Sequence, residues 1–222
     1  MNYLLPFLSV LLGYGISLFL EPKNKKNLKL LLAFSGAFLL ALTVFHLLPE
    51  VYAKSNSSIG LYIMLGILFQ IVLEVASKGA EHGHVHGHDA ITQIPWLLFI
   101  SLCVHALLEG IPVSQHPSLA LGIAVHHLPI AIILATFFRK GNLNARALFV
   151  FMLGFALMTP LGTFLGGSAT IINHYATEIT AVVIGILFHI SSTIIFESSE
   201  GHKFNIAKIS VIVLGIALAY LL

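Results

Sequence analysis

Residues 93–138 read QIPWLLFISLCVHALLEGIPVSQHPSLALGIAVHHLPIAIILATFF, two long apolar runs joined by the short polar connector Gln115-His116-Pro117. Each run has the length of a bilayer-crossing helix, since a span takes about 20 mostly apolar residues. Yet each carries ionisable side chains at its centre: His105 and Glu109 in the first, His126 and His127 in the second. Groups of this kind are costly in hydrocarbon and generally mark an ion or proton path.

The rest of the chain has the same character. Hydrophobic residues make up 58% of the 222 and charged residues 9%, and mean hydropathy is +0.97. A soluble domain carries about 25% charged residues, so this chain has too few water-compatible groups to cover its own surface. The expectation is an all-α integral membrane protein, with residues 1–222 forming one transmembrane domain. Eight spans are predicted near 2–21, 30–52, 57–77, 93–113, 117–138, 146–167, 177–197 and 205–222. The first run lacks a basic leader and a small-residue cleavage site, so it reads as a retained span. Cys103 is the sole cysteine, which excludes an internal disulfide and any multi-cysteine metal site. The small net charge of +2 says little about partners; the lipid bilayer is expected as one and nucleic acid is not.

Orientation follows from charge placement. Lys23, Lys25, Lys26, Lys29, Lys78, Arg139, Lys140, Arg146, Lys203 and Lys208 all fall beside odd-numbered connectors, and Lys54 alone falls beside an even one. Cytoplasmic loops carry the excess of Lys and Arg, so both termini are expected outside and the connector at 79–92 inside. That connector contains Glu81-His82-Gly83-His84-Val85-His86-Gly87-His88-Asp89. Its His82, His84, His86 and His88 suit capture of borderline metal cations.

Spacing places the central residues together. His105 and Glu109 are four apart and share a helix face. At 1.5 Å per residue, His105 lies roughly 18 Å from the inner face and His126 roughly 14 Å from the outer one, so both fall near the middle of a hydrocarbon layer about 30 Å thick. Imidazole and carboxylate ligands together suit a divalent transition metal. Spans 4 and 5, joined by a short connector, are expected to be antiparallel neighbours. Pro129 withdraws a backbone hydrogen bond and frees a carbonyl near His126, and Pro160 does the same in span 6. In span 2, His46 and Glu50 share a face: His46 is a candidate to complete the metal shell and Glu50 to gather cations at the outer mouth. Glu74, His189 and Glu197 are candidate path residues towards the cytoplasm.

These motifs together resemble the ZIP (Zrt-/Irt-like protein) family of metal transporters. The likeness spans nearly the whole chain. It rests on eight spans, the His-rich connector between spans 3 and 4, His46-Leu47-Leu48-Pro49 in span 2, His105-Ala106-Leu107-Leu108-Glu109-Gly110 in span 4, His126-His127-Leu128-Pro129-Ile130 in span 5 and Pro160-Leu161-Gly162 in span 6. The resemblance implies a ZIP-like bundle, uptake of zinc or a related ion (Cd2+, Fe2+, Mn2+, Ni2+, Co2+) towards the cytoplasm, a homodimer, and a primary site of His46, His105, Glu109 and His126, with His127 beside it. Two positions depart from the family pattern: Ala106 stands where the family has asparagine and Ile130 where it has glutamate. A single ion held mainly by three histidines and Glu109 is the consequence, and fewer carboxylates with more imidazoles favour zinc, copper, nickel or cobalt over manganese or magnesium. Short loops suit a bacterial inner membrane. The expected role is transport without enzymatic activity. Alternatives are a membrane-embedded zinc metallohydrolase, although the His-Glu-x-x-His string of such enzymes is absent, and a metal-binding relative that no longer transports.

Overall fold

The computed structural model describes residues 3–19, 25–54, 58–77, 93–197 and 205–222. The four connector histidines at 82–88 lie outside the described residues, as does the side chain of Glu197. Every regular element among the described residues is helical: α1 (Leu4–Phe19), α2 (Lys25–Leu42), a π-helical turn (Thr43–Leu47), α3 (Leu48–Lys54), α4 (Ile59–Ser77), α5 (Trp96–Gly110), a 3-10 turn (Ile111–Ser114), α6 (Leu119–Lys140), α7 (Ala145–Ser168), α8 (Thr170–His174), α9 (Ala176–Glu197) and α10 (Ile206–Tyr220).

Six helical stretches are long and apolar enough to cross a bilayer: Asn27–Lys54, Ile59–Ser77, Trp96–Ser114, Leu119–Lys140, Ala145–Ser168 and Ala176–Phe196. They coincide with the predicted spans 2 to 7. The first and last predicted spans are shorter helices of 16 and 15 residues. At 1.5 Å per residue they reach about 24 and 22 Å, less than a full hydrocarbon layer of about 30 Å. On α4, Leu61, Met64, Leu65, Leu68, Val72 and Val75 are exposed. They recur at three- and four-residue spacing, an apolar stripe that water would penalise and hydrocarbon would not.

Prolines shape the long helices in two ways. Pro49 lacks an N–H, and the helix before it widens so that Leu48 N–H donates to the Thr43 carbonyl five residues back. Pro112 ends α5 as a 3-10 turn. Pro129 and Pro160 instead sit inside α6 and α7, which continue through them.

The most extensive packing pairs α1 with α6, α4 with α9, α10 with α2, and α5 with α7. Two of these seams bring backbones into contact. A Cβ on Gly162 would stand 2.0 Å from the Leu107 carbonyl and one on Gly110 2.3 Å from the Thr159 carbonyl, while Gly66 and Gly185 play the same part between α4 and α9. Small residues let membrane helices approach closely enough for dispersion to hold them. Thr163 strengthens the α5–α7 seam, donating from its hydroxyl to the Gly110 carbonyl at 3.0 Å.

One expectation needs correction. α5 and α6 follow each other in sequence but are not among the closely packed pairs; α5 rests on α7 and α4, and α6 on α1 and α2. A short connector makes two helices neighbours in sequence, whereas packing follows which faces carry glycine. The α5 face carrying Gly110 is taken by α7.

Candidate metal centre

What bridges α5 and α6 is side chain. From α5, His105 and Glu109 are buried, with Glu109 0% exposed. From α6, His126 and His127 are each 1% exposed. His105 Nε2 stands 3.3 Å from Glu109 Oε2, and His127 Nε2 stands 2.5 Å from Glu109 Oε1. The His105 and His126 rings lie 6.4 Å apart, centroid to centroid, and nearly perpendicular. Four residues predicted to converge do so, and the reason is local. The α5 pair shares a face through the helical repeat, and the α5–α7 seam sets that face opposite α6.

The two sides of Glu109 differ. Two ligands about 2.0–2.1 Å from a tetrahedral zinc stand about 3.3 Å apart, which is the separation of His105 Nε2 and Glu109 Oε2. That edge already has the spacing of two ligands of one ion. His126 stands further back. Among the described residues no three His, Cys, Asp or Glu side chains are grouped so as to hold one metal ion as they stand.

Neither oxygen of Glu109 has a hydrogen bond of ordinary alignment, nor does Nδ1 of His126 or either ring nitrogen of His127. A wholly buried carboxylate normally has its lone pairs satisfied, because leaving them bare forfeits solvation without return. Its nearest groups here are imidazole nitrogens, which are themselves metal ligands when neutral. Thr159, one turn from the Thr163 that binds Gly110, also has a buried hydroxyl without a hydrogen-bond partner. The His127 ring packs on Phe155 at 5.1 Å, while Ala106 and Ile130 are buried with Phe155 in one apolar cluster.

The remaining candidates lie elsewhere. His46 sits in the π-helical turn, and its Nε2 lies 3.2 Å from the Ala219 carbonyl on α10. The wider turn before Pro49 alters which face His46 presents, something four-residue spacing does not anticipate. Glu74 and His189, assigned separately to the inner path, meet each other: His189 Nε2 lies 2.5 Å from Glu74 Oε2 across the α4–α9 seam. Glu50, in the first turn of α3, contacts Lys54 and lies 3.2 Å from His116 Nδ1. Sequence reasoning passed over His116. Its only signal was its place before Pro117 in the connector opposite α3. Burial pushes the His116 imidazole down from its ordinary value, with Glu50 opposing that effect and Lys54 adding to it.

Comparison with protein-family models and with curated proteins returns no match for this chain.

Proposed function

We propose that the protein carries a divalent transition-metal ion, zinc foremost, across a lipid bilayer through the centre between α5 and α6, and that it does so as a ZIP-like transporter. The observation that carries this reading is the state of Glu109: a buried carboxylate whose oxygens meet two imidazole nitrogens without a hydrogen bond of ordinary alignment, with His105 at the separation of a co-ligand. An isolated ionised carboxylate in hydrocarbon costs far more than a fold of this size can spare. A cation shared with neutral imidazoles offsets that cost and has the donor set that zinc prefers. His126 completes the shell by drawing its ring towards the His105–Glu109 edge.

The ion is cargo, so the centre has to form and open. Three ligands and an incomplete cage suit that better than a closed structural site, in which four ligands hold zinc permanently. In this reading α1 and α10 cross with the six longer helices, both termini lie outside, and the Lys- and Arg-rich connectors face the cytoplasm of a bacterial inner membrane. Glu50 meets ions at the outer mouth, and Glu74 with His189 lines the inner half. The histidines at 82–88 receive the ion inside. Assembly as a homodimer rests on the family resemblance.

The test is uptake of Zn2+, Cd2+, Fe2+ and Mn2+ into vesicles containing the purified protein, with His105→Ala and Glu109→Ala beside the native chain. Zinc uptake that both substitutions abolish is expected. Absence of uptake by the native chain, or uptake that survives both substitutions, overturns the proposal.

A further inference from the structure

We infer that His127 is a positioning residue rather than a metal ligand, holding one oxygen of Glu109 so that the other faces a single cation. The inference rests on the metal-site reading above and deepens it by setting how many ions the centre takes.

Distance separates the two roles. A nitrogen and an oxygen bound to one cation, each about 2.0–2.2 Å from it, approach to 2.5 Å only if the angle at the metal closes to about 75°, far from tetrahedral. His127 Nε2 and Glu109 Oε1 are 2.5 Å apart. That gap is a close contact between nitrogen and oxygen and has no room for a metal ion bound to both. His105 Nε2 and Glu109 Oε2, at 3.3 Å, have room for the ion. One carboxylate is thus divided, with Oε1 turned to His127 and Oε2 turned to the cation edge.

The surroundings of His127 agree. A second cation on its side of Glu109 would need further donors, and the neighbouring buried positions are Ala106 and Ile130, packed in one apolar cluster with Phe155. Phe155 lies 5.1 Å from the His127 ring and limits its rotation. Apolar walls that offer no ligand and an aromatic ring that fixes the imidazole describe a support for Glu109. Groups that orient a ligand in this way typically change metal affinity 10–100-fold when removed.

The experiment titrates zinc into the purified full-length protein and counts the imidazoles around the first equivalent bound by X-ray absorption. His127→Gln keeps an N–H donor near the place of Nε2, and His127→Leu removes it. His126→Asn is the ligand control. The number of ions lost on Glu109→Ala reports whether the centre takes one ion or two, whatever other histidines bind. Expected are the loss of one zinc per chain on Glu109→Ala and an unchanged imidazole count in both His127 variants. Affinity should fall about 10–100-fold in His127→Leu and recover to within about threefold in His127→Gln, while His126→Asn loses one imidazole. An imidazole lost from His127→Gln, or two ions lost on Glu109→Ala, overturns this inference and leaves the transport reading standing. A native chain whose zinc binding is unaffected by Glu109→Ala overturns the transport reading itself, and this inference with it.

Discussion

Replacing Gly162 with alanine tests whether the α5–α7 seam positions the centre. A Cβ there would stand 2.0 Å from the Leu107 carbonyl, 3.0 Å from its carbon and 3.1 Å from Gly110 Cα, whereas ordinary contact begins near 3.4 Å. The obstructing atoms are backbone, which cannot rotate aside, so α5 must move away from α7 by about 1 Å. Alanine is favoured over glycine within a helix by about 1 kcal/mol, which offsets part of the loss. Overpacking of a tight contact costs about 1–3 kcal/mol, so a net destabilisation of about 1–2 kcal/mol is expected. Glu109 lies next to Gly110 on the displaced helix. Misplacement of a functional group by about 1 Å costs up to about 100-fold in activity, so zinc uptake should fall at least tenfold. Thermal unfolding in detergent and vesicle uptake measure the two effects. Gly15→Ala is the control, because nothing lies within 4 Å of a Cβ there; it should be neutral or slightly stabilising. If Gly162→Ala unfolds and transports like the native protein, the seam does not set the position of Glu109 and the reasoning fails.

Other outcomes follow from the same geometry. His116 has its pKa lowered by burial, so below about pH 6.5 the unfolded chain binds its proton more readily than the folded one. The contribution of His116 to stability is therefore present at neutral pH and lost on acidification, and His116→Gln should reduce the drop in thermal stability between pH 7.5 and 5.5. An equal drop in both proteins would refute that role. His46, which faces the Ala219 carbonyl, should tolerate replacement by alanine with zinc affinity changed less than about threefold, whereas a ligand lost from the shell would cost about 100-fold or more.

Much of this protein was legible in its residue order because the relevant signals are local. Length and hydropathy marked the six long apolar helices, and their bounds fall within a few residues of the predicted spans. The four-residue repeat put His105 and Glu109 on one face, and equal depth brought His126 and His127 to them; these side chains do meet. Tertiary structure decided what depends on atoms distant in the chain. The extra residue in the π-helical turn directs His46 to α10. Glycine contacts seat α5 on α7 rather than on α6, leaving the centre to bridge the gap. Glu74 and His189 find each other across the α4–α9 seam. The division of Glu109 between His105 and His127 is a difference of less than 1 Å between two contacts. Helical periodicity fixes which face a residue occupies, whereas the separation between two faces is set by the packing of every helix around them.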